Sequence, residues 1–362
     1  MFEPPFCPNP ACPYHLRPPP HFYKLHGTFW PNWSKESIVR MRCKCCGTTF
    51  SRQTFRMSRY DRHPEVNADL FSRLASSGGL RQSARELGLS PSGVQWKFRK
   101  IARHLLQLHR QRIRPVQTPL CFIFDEAESF EGSRLEAPLT VPFVVERNTM
   151  FLVDARCGTL PPRPSAPSRR TAKQNAKYGF RAGTTRRNES KRVVGESLAM
   201  ATQLVAAQES IEFRCDQKST YPGLIRSAFA TACAEREHGP RTKLTIKICQ
   251  TNSREPRTPQ NPLHRINLTL AMARDQMGRL RRRSWLATKK REYLDLHLGL
   301  FLAYRNYVRV RFNEDARTPA ELLGLMPRSA SCAELLTWRQ DWARERVLHP
   351  FEGCERPAAA SA

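Results

Sequence analysis

Two stretches limit what this chain can fold into more than any others, because in each a short apolar run closes on an acid. They are Phe122-Ile123-Phe124-Asp125-Glu126-Ala127-Glu128 and Ile211-Glu212-Phe213-Arg214-Cys215-Asp216. A run of bulky residues this short reads as a buried strand, and an acid at its end stands at the rim of a sheet. Two carboxylates at neighbouring strand ends supply the hard oxygen ligands that divalent cations need for phosphoryl transfer. Around them, Pro119 to Phe124, Leu139 to Glu146 and Thr149 to Ala155 read as three successive strands. A helix from Val193 to Gln208, the Asp216 strand and a further strand at Lys243 to Ile248 follow. The expected class is α/β, a mixed sheet flanked by helices.

Charge narrows the partners. Sixty Lys and Arg against thirty-two Asp and Glu give a formal charge of +28, an excess that attracts a polyanion. No apolar run approaches the ~20 residues of a spanning helix, and Met1-Phe2-Glu3-Pro4-Pro5 lacks the charged and apolar regions of a secretion signal. These features predict a cytoplasmic, nucleoid-associated protein on nucleic acid, with no membrane partner. Twelve cysteines in a reducing compartment argue for metal ligation or free thiols rather than disulfides.

Four of those cysteines have metal-site spacing. Cys7 with Cys12, and Cys43 with Cys46, form two close pairs about thirty residues apart, the pattern of a tetrahedral Zn²⁺ site on a small ribbon. Cys43 and Cys46 have the two-residue gap and Gly47 just after it, which leaves Cys45 a spectator, although Cys43 with Cys45 stays open. So short a segment needs the metal to fold. Farther on, a helical stretch from Asn67 to Ser76 precedes a short helix carrying Ala84 and Leu87, a turn at Gly88, and a second helix capped by Ser90-Pro91. This is a helix-turn-helix pattern, with the second helix as major-groove reader. Its exposed side would carry Gln95, Lys97, Arg99, Lys100 and Arg103 toward phosphates and base edges. The basic run Arg279, Arg281, Arg282 and Arg283 is expected to hold phosphates beside the acids, and Trp285 within it to stack on an unpaired end or to pack internally.

The resulting units are a zinc ribbon (1–55), a helix-turn-helix domain (56–115), a catalytic domain (116–325) with a basic insertion at 160–191, and a C-terminal helix with a disordered tail (326–362). In that order they resemble the small zinc-ribbon insertion-sequence transposases with a DDE-type, ribonuclease-H-like core. The resemblance is carried by Arg42 to Ser51, Asp125-Glu126, Asp216 with Tyr221 to Ile225, Arg279 to Trp285, and the helix Leu294 to Val308 with Tyr304-Arg305-Asn306-Tyr307.

It implies a ribonuclease-H-like sheet. It also implies Asp125 and Asp216 as the first two ligands of a Mg²⁺ or Mn²⁺ pair, the terminal repeats of double-stranded element DNA as partner, and a homo-oligomer on that DNA. The family's third ligand is a glutamate on a late helix, yet here Leu263-His264-Arg265-Ile266-Asn267-Leu268 offers none. Three readings stand: Asp275 ligates from a shifted position, Asn267 ligates through its carbonyl oxygen, or strand-cutting chemistry has been lost. The alternative to a transposase is therefore a catalytically inactive DNA-binding protein derived from one.

Overall fold

The two apolar strands lie side by side at the centre of one mixed sheet. In this computed structural model, residues 2–30, 37–163, 186–205, 208–234, 244–252, 254–256, 258–281, 286–344 and 346–348 are described. Chain order begins with α1 (Pro13–Leu16) and the antiparallel strands β1 (Tyr23–Phe29), β2 (Ile38–Cys43) and β3 (Thr49–Ser51). Phe6, Phe22, Met41, Phe50 and Phe55 form a small core of their own with Cys7, Cys12 and Cys43.

Three helices follow: α2 (Asn67–Ala75), α3 (Leu80–Glu86) and α4 (Pro91–Arg112). Gly88, at φ +63°, turns the chain out of α3 in a conformation that only glycine adopts readily. Ser90 Oγ then accepts from the Gly93 amide at 3.1 Å, and Pro91 fills the first helical turn, so the start of α4 is fixed locally. α4 buries Val94, Phe98, Ile101, Leu105 and Leu108 at helical spacing.

The main sheet contains β4 (Cys121–Glu131), β5 (Ser133–Glu146), β6 (Leu152–Ala155), β7 (Gly158–Thr159), β8 (Ser210–Asp216) and β9 (Thr245–Thr251), in the order β6-β5-β4-β8-β9 with β7 beside β5. β4, β5 and β6 run antiparallel through short connections, whereas β8 is parallel to both β4 and β9. Parallel neighbours need crossovers, and α5 (Ser190–Thr202) and α6 (Tyr221–Ala234) provide them. Val194, Leu198, Tyr221, Ile225 and Phe229 cover one face, packing on Phe122, Phe124 and Phe213. The other face, with Ile123, Ala127 and Val141, is covered by α7 (His264–Gln276) and by Leu294, Leu298 and Phe301 of α8 (Arg291–Ala303). The mixed sheet flanked by helices is as expected.

Several boundaries differ from the sequence reading. β4 does not stop at Phe124 but continues to Glu131, because Ala127, Ser129 and Glu131 keep alternate positions buried while β5 supplies partners, Asp125 opposite Phe143 among them. Its acids are therefore at a rim on one side only. A π-helical turn, Tyr304–Val308, extends α8 and buries Asn306. The Asn306 side chain accepts from the Leu152 amide at 2.9 Å and donates to the Leu152 carbonyl at 2.8 Å, standing in for a neighbouring strand at the β6 edge.

The C-terminal stretch, expected to hold a helix, turns inward. After α9 (Pro319–Leu322), a short α10 (Cys332–Thr337) leads to buried Trp338 and a hairpin of β10 (Arg339–Asp341) and β11 (Arg346–Leu348). The hairpin packs on α4 and reaches the N-terminal ribbon, where Arg339 donates to the Glu3 carbonyl at 3.2 Å. Most of the expected basic insertion, 164–185, and the tail from 349 lie outside the described residues. Among the described residues no helix is long and apolar enough to cross a membrane.

Candidate metal and nucleic-acid sites

The N-terminal cysteines converge from four turns and strand ends. Cys7 and Cys46 Sγ lie 3.5 Å apart and Cys12 and Cys43 Sγ 3.9 Å apart, and all four sulfurs fall within 4.8 Å of one another. Zinc bonds of ~2.3 Å in a tetrahedron set sulfurs about 3.8 Å apart, so the four thiols are close enough to close on such an ion. Burial pushes Cys7 and Cys43 up, while Cys46, despite some burial, is brought down to about 6 by hydrogen bonding around Thr48, whose Oγ1 lies 3.1 Å away. Cys45 is exposed and outside the cluster, which resolves the choice left open in favour of Cys46. Buried His15 braces the site: Nδ1 lies 2.6 Å from the Cys7 carbonyl and Nε2 3.3 Å from Asp341 of the C-terminal hairpin.

The two aspartates meet through register. β4 and β8 pair in parallel as Cys121 with Glu212, Phe122 with Phe213 and Ile123 with Arg214, and each aspartate lies two residues beyond the last pair. In-register neighbours on parallel strands point to the same face, on strands about 4.8 Å apart. That face is the one Ile123 and Ala127 share with α7. Burial pushes Asp125 up to about 6, and the charges of Asp216 and Glu126 act in the same sense. The Glu126 amide, donating to Asp125 Oδ1 at 2.8 Å, and Arg274 of α7 oppose the rise. Asp216 Oδ1 accepts from the Lys218 amide at 3.1 Å. Like charges held this close, with one of them shielded from water, favour a proton or a cation between them.

Glu126 faces the opposite side of the sheet and is neither solvated nor part of the pair. Thr140 and Ser190 donate to Oε1 at 2.8 and 2.7 Å, Tyr221 to Oε2 at 2.7 Å, and Lys218 to the same oxygen. Against its burial, these bonds hold the carboxyl below its ordinary range. The network ties the starts of α5 and α6 to β4 and so fixes the loop that follows Asp216. Asp154 is likewise structural, buried between Arg156 and Ser197, each 2.6 Å away.

The expected third ligand is not beside the pair. Asp275 is exposed on α7, 3.7 Å from the Arg281 guanidinium. Among the described residues the four cysteines are the one group of three or more potential ligands within mutual reach, so no third such side chain joins Asp125 and Asp216. The α7 side chain whose charge reaches Asp125 is Arg274, seven residues after Asn267 and so on nearly the same helical stripe.

No family model and no curated protein matches this chain.

The side chains expected on DNA divide into inward and outward groups. Lys97 is a correction: it is buried, its Nζ donating to Asp61, to the His63 carbonyl at 2.6 Å and to Asn67 at 3.0 Å, which leaves it no phosphate-binding face. Gln95 donates to the Tyr293 hydroxyl, tying α4 to α8. Arg99 lies over the Tyr293 ring and pairs with Glu292 at 3.1 Å. Lys100 and Arg103 face a cleft on the outer side of α4. Arg279 turns inward over Tyr293, and burial lowers it to about 10. Arg281 is exposed, while Arg282, Arg283 and Trp285 lie outside the described residues. Sequence reasoning missed Arg274 and the Glu126 network. The only available signal for Arg274 was its helical stripe, and a network joining residues up to 95 positions apart leaves no local pattern.

Proposed function

We propose that this chain is a DNA transposase of the zinc-ribbon, DDE type. In this reading the ribbon and the helix-turn-helix, α3 and α4, bind element ends, and a ribonuclease-H-like core cuts and joins strands as a homo-oligomer on double-stranded DNA. The observation that carries it is the juxtaposition of Asp125 and Asp216 on one face of neighbouring parallel strands, where burial keeps the first above its usual range. The succession β4-β5-β6, α5, β8, α6, β9 agrees with the strand and helix order of that fold, and the charge of +28 suits a polyanionic substrate.

Asp125 and Asp216 would hold a Mg²⁺ or Mn²⁺ pair, with Asp275 as third ligand once the C-terminal end of α7 turns toward them. Bound there, the ions supply Lewis-acid stabilisation of the attacking and leaving oxygens of a phosphodiester. Asp125 and Asp216 bring the negative charge that attracts those cations. The Glu126 network keeps the Asp216 loop in place, and Arg274 is positioned to meet a phosphate whose charge the two acids would otherwise repel.

A second reading is an inactive DNA-binding relative. It is favoured by Asp275 pairing with Arg281 on the exposed side of α7. A strand-cleavage and strand-transfer assay on element-end DNA with Mg²⁺ or Mn²⁺ separates the two. The transposase reading predicts nicked and joined products from wild type, none from Asp125→Asn or Asp216→Asn, and strongly reduced product from Asp275→Asn. DNA binding that is equal in all four proteins, with no cleavage by any of them under either metal, selects the inactive reading.

A further inference from the structure

The outer side of α4 holds a cleft of about 460 Å³ where three separate segments meet. Trp96 comes from α4, Trp342 from the turn between β10 and β11, and Tyr60 from the segment before α2. Trp96 and Tyr60 are the conspicuous exposed aromatics of this face, at 44 % and 82 % exposure. Tyr60 is held at φ +63°, a left-handed conformation unfavourable for an aromatic residue. Its ring is fixed by Arg59, whose guanidinium lies 4.7 Å over it and donates to its hydroxyl at 2.8 Å. The Trp342 indole N–H is shielded from solvent and has no hydrogen-bond partner among the described residues.

The Lys100 ammonium lies 4.7 Å from the Trp96 ring centre and 5.1 Å from that of Trp342, and donates to the Arg59 carbonyl. Burial lowers this lysine to about 8. Arg103 stands exposed on the same face. None of the residues lining the cleft is acidic, and one of them, Arg99, pairs with Glu292. A duplex major groove is read by hydrogen bonding to base edges and offers no exposed π-face, so flat rings interleaved with cations are poorly matched to it. They match a single-stranded nucleotide, whose base stacks on aromatic rings while cations hold its phosphates.

We propose that this cleft binds one unpaired nucleotide of DNA, its base stacked against Trp96 and Trp342 and its flanking phosphates held by Arg59 and Arg103. The cleft thereby senses a frayed or flapped duplex end, a role distinct from major-groove reading by α4. This inference rests on the DNA-binding part of the function proposed above. Full-length, zinc-loaded protein is titrated with a short blunt duplex and with the same duplex carrying an unpaired tail that contains 2-aminopurine. The tailed duplex is expected to bind about tenfold tighter than the blunt one, with 2-aminopurine emission quenched by stacking. Trp96→Ala, at a partly exposed position, removes both the preference and the quench while leaving blunt-duplex affinity unchanged, and Trp96→Phe restores part of each. Equal affinity for the two duplexes without quenching, or a preference that survives both Trp96→Ala and Trp342→Ala, overturns the cleft assignment and leaves DNA binding intact. Failure to bind either duplex removes the DNA reading itself.

Discussion

Lys97 and Arg103 both look like phosphate contacts in the sequence, yet they face opposite ways on α4. Lys97 neutralises buried Asp61 and is fixed by His63 and Asn67. Replacing it by methionine leaves a carboxylate without its cation, which costs about 3–5 kcal/mol; urea titration checks this. Arg103→Ala should leave that midpoint unchanged and weaken DNA binding, lowering the slope of log affinity against log salt by about one. A second residue-scale effect is acid lability. Burial holds His109 and His297 at about 4, below the ordinary imidazole value. Each contributes stability that is fully present above the unfolded-state pKa and is lost as pH falls through the folded one. Stability should therefore be flat above about pH 6.5 and fall toward pH 4 by roughly 3 kcal/mol for each histidine. His109→Gln should flatten part of that fall in denaturant titrations repeated across this range, even if it lowers stability at neutral pH.

At the scale of elements, the α8 extension and the ribbon make separate predictions. Asn306 gives the β6 edge its missing backbone partners, so Asn306→Ala strands two buried Leu152 groups and should cost about 1–3 kcal/mol. Amide exchange at Leu152 and Val153 should rise before exchange at β4. Chelating the metal should loosen β1 to β3, whose small aromatic core is separate from the two large ones, while the main sheet keeps its protection. The cysteine set and the strands carrying the acids could be read locally, since each depends on spacing or on a short apolar run. The inward turn of the C-terminus could not be. His15 meets Asp341 and His104 meets Gln340 across more than two hundred residues, and no periodicity encodes such pairs. The length of β4 was missed for a related reason: β5 supplies the hydrogen bonds that carry it past its apolar run.

For the whole molecule, the C-terminal hairpin joins the ribbon to α4, so the metal site and the cleft on α4 share one support. The partnership of two aspartates 91 positions apart was readable only as a repeated motif. Their common face required the parallel register of β4 and β8, and the charge facing them on α7, Arg274, differs in sign from the acid expected there. The direct measurement of their role is Mn²⁺ uptake by full-length, zinc-loaded protein, followed by electron paramagnetic resonance. The proposed carboxylate pair predicts saturable binding in wild type that is lost in both Asp125→Asn and Asp216→Asn but retained in Asp154→Asn. Wild type that takes up no Mn²⁺, or uptake unchanged in both of the first two variants, would contradict it.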